Sequence, residues 1–335
     1  MLDDHRIVCV TPAGRRRYLR LLIPYVLSCP KVDRYDLWVN TPDAADIAFM
    51  EAVAGIDNRI RLVPLPEGKQ PGPAAIRAFW PGAAEADTVY VRFDDDVVWL
   101  DSSFFDTFLA FRLQRPEYFT VTPLVINNAM STYLLQTFRK IRTSRPVGPD
   151  RFDPIGWVNP TLAHSLHVLF QELVAAGEVE RLDCGRVPLS VNCFSINCIS
   201  WFGRDFASLG GSIPEGEDEE AAAGCTLALR TGRVNAVETG AVAAHFAFYT
   251  QRDLMDRSGL LDGYLRLAAA RPELEPWRSR VEEIYGGIER RHPIHFSLGG
   301  FAPLTRRKRP LIKRLFRRKR DKASEEITVE RGPSF

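Results

Sequence analysis

The sequence predicts an α/β fold with a mostly parallel central sheet flanked by helices, and three observations carry that prediction. Apolar runs of strand length alternate with helix-length segments through the first part of the chain. Pro, Gly, Asn and Asp punctuate the joints between them. An acidic run, Asp94-Asp95-Asp96, follows directly on one such apolar run. Open sheets of this kind offer their crevices beyond the carboxyl ends of the strands, which is where that run falls.

The elements follow in order. Residues 6–11 read as a first strand, and Pro12-Ala13-Gly14 as the turn that ends it. Residues 15–29 have helical periodicity, with Tyr18, Leu19, Leu22, Ile23 and Val26 on one stripe and Pro24 expected to kink or shorten the helix. A second strand at 35–40, a helix at 43–54 and a third strand at 59–63 follow. Pro73 is well suited to open a helix, which Pro81-Gly82 interrupts. Thr88-Val89-Tyr90-Val91-Arg92-Phe93 is a fourth strand, and Val97-Val98-Trp99-Leu100 is apolar behind the acidic run. Beyond it the sequence predicts a helix at 102–114 and a strand at 118–122. Residues 141–160, rich in Pro, Gly and Arg, read as a long loop. A helix at 161–176, a strand at 189–196, a helix at 217–230, strands at 234–238 and 242–249, and helices from 251 to 291 complete the series.

At 335 residues the chain is long enough for a full-sized core, and 45% hydrophobic with 26% charged residues is ordinary globular composition. Apolar runs fall short of the roughly 20 residues of a membrane span. The first residues, Met1-Leu2-Asp3-Asp4-His5-Arg6, lack the basic-then-apolar pattern of a secretory signal, so a cytoplasmic protein is expected. Cys9, Cys29, Cys184, Cys193, Cys198 and Cys225 are scattered, with no CxxC pair and no zinc spacing, and read as reduced thiols. The net charge of +2 hides an asymmetry. From Arg306 to Lys322 eleven basic residues face one Asp, a local +10 that leaves −8 elsewhere. Within 306–320, Leu311, Ile312, Leu315 and Phe316 fall on one helical face, so the tail reads as a basic amphipathic helix for an anionic membrane surface. No nucleic-acid partner is expected, because no other basic face carries interleaved aromatics.

Three adjacent carboxylates beside a core repel one another and call for a cation. Hard ions such as Mg2+ or Mn2+ take oxygen ligands and sit between carboxylates and substrate phosphates. The competing reading is a solvated acidic turn ahead of a helix capped by Asp101-Ser102-Ser103. Two further features stand apart in sequence: Gly216-Glu217-Asp218-Glu219-Glu220 after the Gly210-Gly211 turn, and His245 within an apolar run. The first also fits favourable charges at a helix start, and the second a satisfied core histidine. His164 and His167 share a helical face and read as structural. Asn127-Asn128 fits a turn or sugar contacts, and Arg15-Arg16-Arg17 fits a diphosphate contact or a solvated helix start.

In this order the segments resemble the nucleotide-sugar glycosyltransferases of the GT-A fold. Phe93-Asp94-Asp95-Asp96-Val97 looks like their DxD motif after the fourth strand. The stretch from Asn197 through Trp201-Phe202-Gly203-Arg204 to Gly210-Gly211, then Glu217-Asp218, is similar to the acceptor side of bacterial family 2 enzymes. The resemblance covers roughly residues 6–250. It implies a Rossmann-type sheet divided into a nucleotide-sugar half at 1–125 and an acceptor half at 126–292, followed by a basic C-terminal tail at 293–335. It implies metal ligation by Asp96, Asp94 and His245, with Mn2+ or Mg2+ as the ion. Donor contacts fall to Thr11, Asn40, Asp94, Asp95 and Arg15, and acceptor contacts to Asn127, Asn197 and Glu217. Asp218 is the implied catalytic base, with inversion at the anomeric carbon. The donor is a nucleoside diphosphate sugar and the acceptor a glycan or lipid-linked glycan of the cell envelope. The usual family 2 opening is missing, and Asn40-Thr41-Pro42-Asp43 replaces the acidic residue expected after the second strand. Two rivals remain: a haloacid-dehalogenase-like phosphatase using Asp94 as nucleophile and Asp96 as acid/base, and a non-catalytic basic-tailed scaffold.

Overall fold

Strand β1 (Arg6–Ala13) shows how the molecule is layered. Its side chains alternate, with Ile7 and Cys9 in one apolar cluster and Val8 and Val10 in another. A strand buried on both faces belongs in the middle of a sheet covered on both sides. The structure, a computed structural model, describes residues 2, 4–189, 193–214, 216–294 and 326–332.

The first half repeats strand and helix: α1 (Arg16–Ser28), β2 (Arg34–Val39), α2 (Ala44–Ala54), β3 (Ile60–Val63), a 3-10 segment (Pro73–Ala83) and β4 (Thr88–Phe93). Asp43 caps α2, accepting from Ala45 N and Asp46 N. Helix α1 runs through Pro24, which is buried, and is not shortened by it. After the acidic run come β5 (Val97–Leu100), α3 (Phe104–Gln114), β6 (Val121–Ile126), α4 (Ala129–Thr137), β7 (Ile141–Thr143), α5 (Pro160–Ala176), β8 (Arg186–Leu189), β9 (Cys198–Phe202) and α6 (Gly203–Ala207). A continuous helical segment follows, made of α7 (Glu219–Ala221), a π turn (Ala222–Thr226) and α8 (Leu227–Arg230). The chain then forms β10 (Asn235–His245), α9 (Arg252–Met255), α10 (Leu260–Ala269), α11 (Glu275–Glu289) and β11 (Val329–Arg331).

The sheet order is β3-β2-β1-β4-β9-β6-β10-β5, with β8 also on β10. Strands β1, β2, β3, β4, β6 and β10 run one way and β5, β8 and β9 the other. The predicted α/β class with a mostly parallel sheet is therefore observed. One cluster packs α1, α3, α5, α10 and α11 against one face. On the other, Trp38 stacks on Phe79 at 5.3 Å, and Trp80 lies 4.8 Å from both Trp201 and Phe206.

Several boundaries differ from expectation. The two strands expected at 234–238 and 242–249 are one strand, β10, whose register shifts between Glu238 and Val242. Its first part pairs with β8 and its last with β5, so one irregular strand serves two short partners. The expected strand at 189–196 is only β8 up to Leu189; residues 190–192 lie outside the described residues. The strand expected at 118–122 is displaced to β6, which spans the anticipated boundary at 125–126. Within the anticipated loop, β7 pairs antiparallel with β11, which brings residues 329–331 of the anticipated tail onto the body. The basic amphipathic run at 306–320 lies outside the described residues. Among the described residues no helix is long and apolar enough to cross a membrane.

Candidate active site

Because β1, β4, β6 and β10 share a direction, their carboxyl ends bring Gly14, the acidic run, Asn127 and His245 to one edge of the sheet. Asp94 N donates to Asn197 O, and Val97 N to Asp94 O at 3.1 Å, so the run is a tight turn after β4. The three carboxylates then part. Asp95 turns towards α1, accepting from Gly14 N at 3.0 Å and from Arg15 Nε at 2.8 Å, with Arg15 Nη2 also on it. Asp94 and Asp96 point to His245, and one ligand atom from each of the three lies within 4.8 Å of the others.

Asp96 is 1% exposed and almost surrounded by cations. Arg15 Nη1 is 2.9 Å from Oδ2, Arg252 Nη2 is 3.5 Å from Oδ2, and His245 Nε2 is 3.3 Å from Oδ1. Burial pushes its pKa up, but Arg15, His245 and Arg252 more than reverse that and hold it well below the usual carboxylate range. Among the described residues Oδ1, on the His245 side, has no hydrogen-bond partner. His245 Nδ1 lies 3.4 Å from Asn127 O, an atom that can only accept, so Nδ1 carries a proton. Nε2 then needs a second proton or a cation in order to face a carboxylate. Burial, the largest single influence, favours neutral imidazole, but Asp96, Asp94 and the Asn127 carbonyl together outweigh it and raise the His245 pKa. Two carboxylates, one of them with an orphaned oxygen, and an imidazole oriented by a carbonyl fit a divalent cation.

The neighbours hold these groups in place. Asn197 Nδ2 donates to Asp94 Oδ2 at 2.9 Å, and Asn128 Nδ2 donates to Asn197 Oδ1 at 2.8 Å. Asn127, at a left-handed φ of 61°, donates from Nδ2 to Phe246 O at 3.1 Å and to Gln251 Oε1 at 3.0 Å. Asn127 and Asn197 are thus buried supports of His245 and Asp94 rather than surfaces for an acceptor. His167 serves the same end of β10: Nε2 is 2.9 Å from Phe246 O and Nδ1 is 2.5 Å from Tyr264 Oη. Burial lowers its pKa to about 3, so it is a neutral structural residue.

Two residues expected to contact the donor are engaged within the protein. Thr11 is fully buried, and its hydroxyl pairs with Tyr35 Oη at 3.0 Å. Asn40 uses both ends of its amide on Gly72, donating to its O at 3.1 Å and accepting from its N at 2.9 Å. Arg15 and Asp95 are engaged with each other.

The second acidic run sits beside the first, joined by a residue the sequence reading passed over. Arg92, 2% exposed, places Nη2 at 2.9 Å from Asp94 and 2.8 Å from Glu219. Glu219 also accepts from Trp80 Nε1 at 3.0 Å. Glu217 accepts from Thr226 Oγ1 at 2.5 Å. Asp218 caps α7 through Ala221 N and is gripped by Arg151 at 2.5 and 2.8 Å, with its side chain 58% exposed. The Arg151 hydrogen bond lowers its pKa, which makes it a weak proton acceptor. Glu220 differs: Arg151 reaches it only at 3.4 Å. Burial, with the charges of Asp94 and Glu219 opposed by Arg151, pushes its pKa up to about 7. The signal for Arg92 was an arginine inside an apolar strand, a residue that needs a buried partner.

No protein-family model matches the sequence, and no curated protein sequence matches it. Solved structures with a similar build include GalNAc-T7 with UDP, GalNAc and Mn2+, at TM-score 0.44 and 10% identity. That match covers 96% of this chain, which spans only 55% of the other. A CMP:2-keto-3-deoxy-manno-octonic acid synthetase complexed with CTP matches at 0.42 and 10%, over 79% of this chain and all of that one. The 4-diphosphocytidyl-2C-methyl-D-erythritol synthase from Anaerococcus prevotii DSM 20548 matches at 0.40 and 11%, over 79% and 99%. A second structure of a synthase of that name is spanned over 59% of its length. Likenesses this weak carry no statement about what this chain binds or does.

Proposed function

We propose that the chain is a metal-dependent glycosyltransferase that moves a sugar from a nucleoside diphosphate sugar to a glycan or lipid-linked acceptor. The observation that supports this best is the convergence of Asp94, Asp96 and His245 at the carboxyl ends of parallel strands, around an Asp96 oxygen with no hydrogen bond among the described residues. These three residues would hold Mn2+ or Mg2+, which when bound supplies positive charge against a diphosphate leaving group. Asn197 and Asn127 fix the directions of Asp94 and His245. Arg15 and Arg252 stand by with further positive charge at the same carboxylate.

Glu220 takes the proton of the acceptor hydroxyl in this reading. It is the carboxylate of the second run whose pKa, about 7, matches a general base. Asp218, the base anticipated from the resemblance, becomes the helix cap that holds Arg151 beside Glu220. One carboxylate base opposite one anionic leaving group gives inversion at the anomeric carbon. The phosphatase alternative requires Asp96 to exchange a proton, which its three cationic neighbours oppose. The cell-envelope acceptor and membrane attachment through residues 306–320 belong to the same proposal.

The experiment is to incubate the protein and Mn2+ with a panel of nucleoside diphosphate sugars and measure nucleoside diphosphate release, then determine the product anomer by NMR. Metal-dependent release from at least one donor is expected. Phosphate-ester turnover without release from any donor would overturn the reading, and a retained anomer would overturn inversion.

A further inference from the structure

Phe152, Trp157 and Tyr249 form a run of edge-to-face aromatic rings on the surface. Trp157 lies 5.2 Å from Phe152 at 69° and 5.2 Å from Tyr249 at 79°. The outer two are 44% and 68% exposed, large apolar areas to leave in water. The backbone beneath them is tightly pinned. Asp153 accepts from Gly148 N, Ile155 N and Gly156 N at 3.0, 2.9 and 2.7 Å, and Asp150 accepts from Phe152 N at 2.8 Å. Arg151 N donates to Cys193 O, and Thr250 Oγ1 donates to Trp157 O. Phe152 and Trp157 on this pinned loop, with Tyr249 packed on Trp157, are ordered in advance for a partner, which lowers the entropy cost of binding.

The position says what kind of partner. At one end the Arg151 guanidinium lies over the Phe152 ring at 4.4 Å while it grips Asp218 and Glu220. At the other end Tyr249 follows Phe248, whose ring is 4.6 Å from that of His245. The platform therefore runs between the proposed base and the proposed metal ligands. Among the described residues, Asp150, Asp153, Asp218 and Glu220 cluster with Arg151 at its Phe152 end, while Arg252 is turned to Asp96. An anionic lipid surface meets an excess of negative charge here. A neutral pyranose instead presents C–H faces to the rings and hydroxyls to the carboxylates.

We infer that Phe152, Trp157 and Tyr249 form a stacking subsite for a neutral pyranose ring of an oligosaccharide acceptor, next to the ring that reacts. This rests on the transferase reading for its place in catalysis, though not for the binding itself. The acceptor is then a chain of at least two sugars rather than a lone monosaccharide.

The test titrates the full-length protein with neutral pyranose oligosaccharides and the matching monosaccharides, following binding by calorimetry, with phosphatidylglycerol–phosphatidylcholine vesicles in a parallel arm. Saturable binding of an oligosaccharide is expected, tighter than that of its monosaccharide. Tyr249→Ala should weaken it about tenfold or more, and Tyr249→Phe should keep it. No oligosaccharide binding, binding unchanged in Tyr249→Ala, or vesicle binding lost in Tyr249→Ala would each overturn the subsite. Mn2+-dependent nucleoside diphosphate binding, measured on the same variants, should be unchanged. Its absence in every variant would defeat the transferase reading and leave the subsite standing.

Discussion

The chain carries two acidic runs, at 94–96 and 217–220, that look alike in sequence and are handled differently by the fold. The first ends a buried strand and makes a tight turn, so its members split between two directions: Asp95 to α1, Asp94 and Asp96 to His245. The second opens a helix, so its members fan out to separate partners: Glu217 to Thr226, Asp218 to Arg151 and the cap, Glu219 to Arg92 and Trp80. A strand end concentrates charge and demands a cation, whereas a helix start disperses it. Burial raises the pKa of both Glu219 and Glu220, that of Glu220 to about 7, and Arg92 ties the two runs into one site.

Substitutions at neighbouring carboxylates distinguish the two runs. Glu220→Gln should lower turnover by about 10²–10⁴-fold and abolish an alkaline-rising limb centred near pH 7 in kcat/KM. The sign follows from the role: a base works when deprotonated, so rate climbs as pH rises through the pKa. Asp218→Asn should keep that limb, and a limb that vanishes with Asp218 instead would return the base to the cap residue. Next in size, Arg92→Met leaves the half-buried Asp94 and Glu219 without their shared cation. Stability should fall by about 3–5 kcal/mol in denaturant unfolding, and an unchanged midpoint would show that the two runs are not coupled. Asp95→Asn removes the strong partner of Arg15 and should cost about 2–3 kcal/mol of stability while Mn2+ binding survives. Smallest, Asp218→Ala should cost about 1 kcal/mol as a lost helix cap, read from the same denaturation curves.

How much of this was legible in the sequence depended on the range of the deciding interaction. The strand–helix alternation, the acidic run at a strand end and the pairing of Asp94 and Asp96 with a distant histidine followed from local pattern and resemblance. Thr11 and Asn40 carried the same strand-end signal and proved to be occupied, because their partners Tyr35 and Gly72 lie 24 and 32 residues away. No local pattern reports that a side chain's hydrogen bonds are already filled. Asp218 misled for a related reason: a helix cap and a general base look identical until Arg151, 67 residues upstream, is seen to grip it. The fusion of two expected strands into β10 was set by tertiary pairing with β5 and β8, which propensity does not encode.

The central claim is that Asp96 anchors a divalent ion for a nucleoside diphosphate. It is tested most directly by calorimetric titration of UDP and GDP, with and without Mn2+, into wild type and Asp96→Asn. Saturable binding of one nucleotide that needs Mn2+ and is weakened about a hundredfold or more by Asp96→Asn is the predicted result. Binding that ignores Mn2+, or that is equal in the two proteins, would contradict it.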